Sequence, residues 1–411
     1  MSKQELRSLF LSKKIKKHHN VSKEDGSTRK QQGNIIESPP WSDLHTSLLD
    51  QIAGKLCYVD QVSFHAVCKS WNAAQYKVMP ADLMTWVVRV SRTSPDMFQC
   101  HLYPMSALFN PDIKQCRLNG TEGNFDPKPI VVQNIYLDQC VGSYPWCWDT
   151  NIDITCNYGW ILFNLPTRDY TATIFLFYSP LTKRVMVLPQ LIHSRGTTHK
   201  LITCFSAEPD SPDFVLLVAR HSDIDTVSTY CHVQGKWSTK KFNNLFSLVL
   251  SPDSVVVYLR ELFFFVHASG WMTSYNITSG TWKRECVSSD MTISTSGRRY
   301  AFESNGELML VHDSELFNYT VRRFDWSDKR WLPLNNLSDR TLFVGLNSIS
   351  VNDIEEKEPN NLVLPNQIHV LDGRWYDVYD LKGGKLSESK IPGTKSTFWF
   401  KPPDNIVTKK Y

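Results

Sequence analysis

Most of the chain is a succession of short apolar strands separated by turn residues. Beyond residue 110, few segments have the periodicity of a long amphipathic helix. One pattern recurs: an apolar or aromatic strand leads into a polar turn, and the next strand opens with a tryptophan or an aliphatic residue. Its five instances are residues 177–185, 230–237, 275–282, 324–331 and 379–386. Each is predicted to be an antiparallel hairpin, because Gly, Asn, Asp, Ser or Pro stands in its turn.

The period of this pattern indicates a β-propeller. The residues that close the five units are spaced by 52, 45, 49 and 55 positions, and they are Val185, Trp237, Trp282, Trp331 and Leu386. Propeller blades of the kelch and WD types repeat about every 40–50 residues, and one blade alone cannot bury both of its faces. We therefore predict a mainly β fold with a kelch-like propeller of about six or seven blades over residues 106–405.

Helical periodicity is confined to a short stretch near the N-terminus. A first apolar stripe consists of Leu44, Leu48, Leu49, Ile52 and Leu56. Positions four, five, eight and twelve residues after the first lie on one side of a helix. Ser42 or Asp43 is predicted to cap this helix, since a short oxygen-bearing side chain can accept hydrogen bonds from the amides of the first turn.

A second stripe follows Asp60, the predicted cap of the next helix. Its members are Phe64, Val67, Cys68 and Trp71. Two or three helices within about forty residues cannot bury both stripes among themselves. We therefore predict that residues 41–77, called the hook below, lay an apolar face on a partner protein.

These patterns divide the chain into four parts. Residues 1–38 are predicted to be a disordered basic tail, 39–80 the helical domain, 81–105 a linker and 106–405 the propeller. The basic run Lys13–Lys17 is interpreted as a solvated arm, with a nuclear import signal as the alternative. We expect the protein in the nucleus, the cytoplasm or both.

Charge argues against one class of partner. Residues 1–30 hold nine Lys/Arg and three Asp/Glu, an excess of +6, whereas the whole chain of 411 residues has a net charge of +4. The remaining 381 residues therefore carry about −2 (4 − 6). A globular part this close to neutral does not indicate a phosphate-binding surface, so no nucleic acid is expected as a partner.

Cysteine spacing and apolar runs argue against other classes. Of the ten cysteines, no two are spaced as Cys-x-x-Cys, which indicates buried free thiols in place of a zinc site or a disulfide framework. The most apolar stretch, Val255 to Val266, is interrupted by Arg260 and Glu261 and is shorter than the ~20 residues a membrane helix needs. No signal peptide is visible. We expect no membrane attachment, cofactor or metal.

Titratable side chains are present, but they form no catalytic motif. The sequence contains no Gly-x-Ser-x-Gly elbow, no phosphate-binding Gly-rich loop and no dinucleotide fingerprint. Histidines at positions 193, 199, 221 and 232 are not spaced for a helical metal site. The carboxylates of Glu355, Glu356 and Glu358 lie in a polar run that is expected to be an exposed loop. We expect no catalytic residues and no enzymatic activity.

The apolar residues of the hook follow a known pattern of Leu-Pro-x-x-Leu-Leu, Ile, Leu, Asp and then Phe/Arg-x-Val-Cys-x-x-Trp. Ten positions match in order and spacing, namely Leu44, Leu48, Leu49, Ile52, Leu56, Asp60, Phe64, Val67, Cys68 and Trp71. The hook therefore resembles the F-box, although His45 stands where that family has proline. The resemblance implies that an Skp-type adaptor is contacted by Leu44, His45, Leu48, Leu49, Ile52, Leu56, Val67 and Trp71. The alternative is that the helices are an ordinary cap on the propeller.

Four stretches of the β-region carry a second resemblance: residues 158–163, 299–311, 337–345 and 378–383. With their spacing, they make the region similar to the KIB-type propeller domain that is found behind F-boxes in plants. The Asp339-Arg340 pair is typical of that family. We interpret it as an ion pair that orients a strand, with a functional role as the alternative.

These resemblances imply a plant F-box protein that acts as the substrate-recognition subunit of an SCF-type (Skp-cullin-F-box) ubiquitin ligase. The adaptor would link the chain to the cullin and RING subunits, and the propeller would bind a target protein. Such a chain catalyses nothing and works by proximity. Target contacts are expected on loops of one propeller face. Two alternatives remain: a propeller-based regulatory protein without the ligase link, consistent with His45, and a propeller hydrolase.

Overall fold

Antiparallel pairing between neighbouring segments builds nearly all of the fold. The computed structural model describes residues 41–53, 64, 67–73, 85–94, 97–104, 131–136, 153–167, 170–193, 201–220, 225–242, 254–267, 270–286, 298–314, 318–351, 363–372, 375–381, 384–390 and 397–401. The chain divides into two units, Met1–Leu44 and His45–Tyr411. Within the described residues the helices are a 3-10 turn, Trp41–Asp43, and two α-helices, α1 (Thr46–Ala53) and α2 (Lys69–Asn72).

Six sheets, here called blades 1 to 6, account for the strands of the described residues. Blade 1 contains β1 (Trp86–Ser94), β2 (Met97–Pro104), β3 (Val131–Tyr136) and the last strand of the chain, β26 (Thr397–Phe400). Blade 2 contains β4 (Asp153–Asn157), β5 (Trp160–Pro166), β6 (Ala172–Tyr178), β7 (Val185–Val187) and β8 (Leu191–Ile192). Blade 3 contains β9 (Leu201–Phe205), β10 (Val215–Arg220), β11 (Asp225–Cys231) and β12 (Lys236–Phe242).

The remaining blades follow in chain order. Blade 4 contains β13 (Val255–Leu259), β14 (Leu262–Val266), β15 (Met272–Asn276) and β16 (Thr281–Cys286). Blade 5 contains β17 (Arg299–Ser304), β18 (Glu307–Ser314), β19 (Asn318–Asp325) and β20 (Arg330–Leu334). Blade 6 contains β21 (Thr341–Val344), β22 (Ile349–Val351), β23 (Gln367–Asp372), β24 (Trp375–Asp380) and β25 (Gly384–Lys390).

The six blades close into a ring. The inner strands of consecutive blades contact one another in the order β26, β4, β9, β13, β17 and β22, and blade 6 returns to blade 1 through β23 and β26. One apolar cluster fills each of the six interfaces between adjacent blades. The prediction of a mainly β propeller is confirmed, and the number of blades is six.

Alternation along the strands explains why such continuous apolar runs are needed. In β14, Phe263 and Phe265 pack toward blade 3, whereas Phe264 and Val266 pack toward blade 5. Successive side chains of a strand point to opposite faces of its sheet. A blade buried on both faces therefore needs apolar residues at every position, and Leu262–Val266 supplies them.

The repeated sequence pattern marks the outer hairpin of five blades. Its closing residues Val185, Trp237, Trp282, Trp331 and Leu386 all lie on the outermost strands β7, β12, β16, β20 and β25. In blades 3 to 5 the opening aromatic residue lies directly opposite the tryptophan, as Tyr230–Trp237, Tyr275–Trp282 and Phe324–Trp331. Their ring centroids are 5.5, 4.8 and 5.2 Å apart. Aromatic pairs at such distances stabilise a hairpin beyond the apolar area that they bury.

Blade 1 is assembled from both ends of the described chain. Its inner strand β26 pairs with β1, with Trp86 opposite Phe400 and Arg89 opposite Thr397. The propeller therefore begins at Trp86, within the segment 81–105 that the sequence assigned to a linker. The sequence repeat does not mark this blade because its inner and second strands, β26 and β1, are far apart in sequence and form no local unit.

Blade 6 departs from the simple antiparallel order. Strand β21 runs parallel to β23, and the short strand β22 lies at the inner edge of the blade. Asn347, between β21 and β22, fastens this blade to blade 1. Its side-chain amide donates to the carbonyl of Trp399 (2.6 Å), and its oxygen accepts from the amide of Trp399 (2.9 Å). The indole N–H of Trp399 donates to the carbonyl of Val344 (2.9 Å), so the seam is held by three hydrogen bonds.

Candidate functional site

The candidate site is the hook, and its first helix starts at His45. The His45 carbonyl accepts the amides of Leu48 (2.9 Å) and Leu49 (3.1 Å). The His45 ring nitrogen Nδ1 accepts the amide of Ser47 at 3.3 Å and lies 2.8 Å from the Ser47 hydroxyl. His45 thus fills the N-cap position, which satisfies one of the amides left unpaired by a helix start. The predicted caps Ser42 and Asp43 lie in the preceding 3-10 turn and bond to each other, so that prediction was wrong.

Helix α1 has a buried apolar side and an open one. Leu49 and Ala53, four residues apart, are fully buried. Leu48 retains 45% of its surface exposed, and Ile52, four residues later on the same side, is half-buried. Residues at this spacing lie above one another on a helix. The helix therefore keeps one apolar stripe accessible after its other stripe has been covered.

The second part of the hook is organised by an aromatic contact. Phe64 and Trp71 are both buried, and their ring centroids are 4.5 Å apart. Helix α2, which begins after the extended residue Cys68, contacts α1. Val67 precedes this helix and is 41% exposed. The two described helices thus pack together, and Leu48 and Val67 stay on the outside.

The predicted contact residues separate into two groups. Leu49 and Trp71 are buried and stabilise the hook, whereas His45, Leu48 and Val67 are exposed. Leu44 and Ile52 are half-buried. Leu56 and Asp60 lie outside the described residues. Contact with an adaptor by these side chains remains a prediction, and Leu48 and Val67 are the large apolar members that are most available for it.

In the propeller, the carboxylate of Glu307 forms ion pairs with two arginines, and one of these pairs links neighbouring blades. Arg340 bonds to Glu307 of blade 5 (2.8 Å), and Arg323 bonds to the other carboxylate oxygen of Glu307 (2.7 Å). Burial by itself would raise the pKa of Glu307, but the hydrogen bonds from the two guanidinium groups outweigh it and lower that pKa. The ion pair of Arg340 joins blade 5 to the start of blade 6, and its partner is Glu307. Arg340 pairs with Glu307 and not with its neighbour Asp339, so the interpretation of Asp339-Arg340 as an ion pair was wrong.

Other side chains singled out by the sequence do not gather in one place. His193 shares a hydrogen bond with Thr173 (2.9 Å) in blade 2, and burial, with the nearby charge of Arg220, lowers its pKa to about 4. His232 is exposed in the turn between β11 and β12. Positions 199, 221, 355, 356 and 358 lie outside the described residues. Within the described ranges, no three His, Cys, Asp or Glu side chains are grouped as a metal would require, and no helix has the length and apolar character of a membrane span.

A family model, the KIB1-4 beta-propeller, matches residues 138–394, which is more than half of the chain. The chain belongs to the KIB1-4 beta-propeller family. Two curated proteins of Arabidopsis thaliana are similar to this KIB1-4 propeller protein. F-box protein At3g56470 is 20% identical over 89% of this chain and 89% of its own length. F-box protein At4g00893 is 23% identical over 61% of this chain and 55% of its own length.

A weak likeness to a solved structure is also found. BamB from Moraxella catarrhalis is 10% identical, covers 78% of this KIB1-4 propeller protein and 97% of its own chain, and has a TM-score of 0.34. The family match and the two relatives confirm the resemblance to a plant F-box protein with a KIB-type propeller.

Proposed function

We propose that the chain is the substrate-recognition subunit of an SCF-type ubiquitin ligase. The hook would bind an Skp-type adaptor, which links it to the cullin and RING subunits, and the propeller would hold a target protein. The observation that carries the proposal is the open apolar side of α1, where Leu48 is exposed although Leu49 beside it is fully buried. Both similar Arabidopsis proteins are named F-box proteins, which supports the same assignment.

The role proposed for this chain is proximity without chemistry of its own. Two proteins held on one scaffold meet at an effective concentration set by the geometry of that scaffold. The ring of six blades, with an apolar cluster in every interface, gives such a scaffold rigidity.

Titration of the full chain with a purified plant Skp-type adaptor tests the proposal. A Leu48→Asp/Val67→Asp variant places two charges on the open side of the hook without touching its buried residues. We expect its affinity for the adaptor to fall by about a hundredfold or more, because each charge would be buried against an apolar surface. The matched control is Val185→Asp/Leu386→Asp, since these propeller residues are similarly exposed, at 42% and 54%.

Three outcomes have distinct meanings. Loss of binding in the hook variant alone supports the proposal. Equal binding by the wild type and the hook variant would show that the contact lies elsewhere. No binding by the wild type at micromolar concentrations would remove the ligase assignment and favour a regulatory propeller protein, the alternative that His45 in place of the family's proline keeps open.

A further inference from the structure

The outer strand of blade 3 is a long and regular edge. All seven residues of β12, Lys236–Phe242, pair with β11 without a register shift. Among the other outer strands of five or more residues, β16 and β25 have a bulge in their pairing and β20 contains Pro333. Strand β3 of blade 1 is as regular as β12, but none of its side chains is charged. Bulges and proline are two of the devices by which proteins stop a further strand from pairing at a sheet edge, and edge lysines are a third. Strand β12 has neither a bulge nor a proline, but it carries three lysines.

Strand β12 is also held firmly from both sides. The indole N–H of Trp237 donates to the carbonyl of Pro189 in blade 2 (2.6 Å). At the other end, the ring of Phe242 lies 5.7 Å from that of Trp282 in blade 4. The four residues between these anchors, Ser238 to Lys241, are exposed. A backbone fixed in this way presents its outward amides and carbonyls to a partner strand at a small entropic cost.

The charge of this edge has no counterpart on the other outer strands. Lys236, Lys240 and Lys241 are exposed, and none of them has a carboxylate within ion-pair distance among the described residues. Basic residues in or beside the outer strands of other blades are paired, as Arg184–Asp210, Lys283–Glu285, Arg330–Asp328 and Lys385–Asp377. The exceptions among the side chains described there are Arg284 in β16 and the turn residues Lys183 and Lys329, which stand singly and not as a group of three on one strand.

Lysines on an edge strand deter pairing with neutral apolar strands, and they become an attraction when the incoming strand is acidic. We propose that β12 is a docking edge for an extended acidic segment of a partner protein, which adds to blade 3 as a fifth strand. The inference is independent of the proposed ligase role, because it involves neither the hook nor an adaptor. It also places a partner contact on a blade edge, whereas the sequence led us to expect contacts on loops.

The geometry of β12 specifies the partner's pattern. Side chains of a strand alternate between faces, so Lys236 and Lys240 lie on the side of blade 4, where Lys240 reaches Gly280, and Lys241 lies on the side of blade 2 with Trp237. In the antiparallel orientation, acidic residues at the first, second and sixth positions of a segment would stand opposite Lys241, Lys240 and Lys236.

A peptide fits this edge better than a nucleic acid does. Single-stranded nucleic acids are bound by basic grooves in which aromatic rings are open for base stacking. The two aromatic side chains of β12 are already engaged, Trp237 with Phe175 (5.1 Å) and Phe242 with Trp282. What β12 still offers is a regular backbone edge and three lysines. An added strand pairs with the backbone edge, and its acidic side chains would be attracted by the lysines.

The test is binding of a fluorescein-labelled heptapeptide, Thr-Glu-Glu-Thr-Val-Thr-Glu, to the full chain, followed by fluorescence anisotropy. The variant Lys236→Glu/Lys240→Glu/Lys241→Glu should bind roughly tenfold more weakly or worse at 150 mM salt. The control Lys183→Glu/Lys329→Glu/Arg330→Glu reverses the same number of exposed charges on other blades and should stay within about twofold of wild type. If the first variant does not fold, the same three lysines are changed to glutamine.

A second peptide separates strand addition from simple charge attraction. Two N-methylated forms of the peptide are compared, one methylated at the odd-numbered backbone nitrogens and one at the even-numbered nitrogens. Each form, called a phase below, keeps the charges and lacks the amide donors of one edge of the strand. One phase should abolish binding and the other should leave it unchanged. The proposal is overturned if neither phase matters, if both triple variants weaken binding equally, if no peptide binds at 1 mM, or if a twenty-base oligothymidine displaces the peptide at a lower concentration than the unlabelled peptide does.

Discussion

His45 caps the first helix of the hook with its ring: Nδ1 of His45 lies 3.3 Å from the backbone nitrogen of Ser47 and 2.8 Å from its hydroxyl. A proline at this position would favour the helix start by fixing its own φ angle. The histidine reaches the same result by accepting a hydrogen bond. The departure from the F-box pattern at this residue is therefore compatible with an intact hook.

The capping role of His45 predicts that His45→Ala weakens the start of α1. Loss of an N-cap costs about 1 kcal/mol, so the amides of Leu48 and Leu49 should exchange with solvent about fivefold faster. His45→Asn, which offers an oxygen acceptor, should restore exchange to near the wild-type rate. Hydrogen exchange followed by mass spectrometry measures both. Equal rates in the wild type and the alanine variant would contradict the capping role.

Glu307 gives the stability of the propeller a pH dependence of known sign. Because its pKa in the folded protein lies below the ordinary value of 4.5, its contribution is complete above that pH and is lost as the pH falls through the lowered pKa. Glu307→Gln should therefore be less stable than wild type at pH 7, and the difference in unfolding free energy should shrink below pH 4.5. Urea denaturation across this range measures it, with the exposed residue Glu261→Gln as control. A difference that does not vary with pH would refute the assignment.

The hydrogen bonds of Asn347 to Trp399, which join blade 6 to blade 1, predict that the stability of the propeller depends on this side chain. Asn347→Ala leaves the amide and the carbonyl of Trp399 without their partners, so we expect a loss of about 2–4 kcal/mol in unfolding free energy. The control Asn335→Ala, at an exposed position, should change it by less than about 0.5 kcal/mol. If chemical denaturation gives similar values for the two variants, the seam does not depend on Asn347.

The burial of Phe264 allows us to predict how much an interface between blades contributes to the unfolding free energy. It is buried in the cluster between blades 4 and 5, with its ring 5.1 Å from that of Trp326. Phe264→Ala should lower the unfolding free energy by about 3–5 kcal/mol, since it leaves a cavity in a packed interface. Val185→Ala, at an exposed site, should have an effect below about 0.5 kcal/mol. A thermal melt in which both variants behave alike would contradict this account of the core.

The outer hairpins were predictable because their signal is local. An aromatic residue, a turn and a tryptophan such as Tyr275 and Trp282 stand within eight residues of each other and meet directly across the hairpin. Blade 1 gave no such signal, since the partner of β1 is β26 at the other end of the chain. The parallel pairing of β21 with β23 was equally out of reach, because it depends on tertiary placement.

The hook, too, was only partly predictable from local sequence. Periodicity placed Leu48 and Leu49 on one helix, but two adjacent leucines cannot reveal which of them is buried. The cap at His45 was missed because histidine is not among the usual capping residues. The lysines of β12 were missed because a net charge near −2 for the globular part averages over every blade, although the spacing of Lys236, Lys240 and Lys241 was visible.

Hydrogen exchange of the full chain, with and without a purified Skp-type adaptor, tests the central claim most directly. The account predicts that amides in 46–53 and 67–73 become protected when the adaptor binds and that those of β12 and the other outer strands do not. Protection confined to the propeller, or no protection at a saturating adaptor concentration, would contradict the assignment of the hook as the adaptor-binding site.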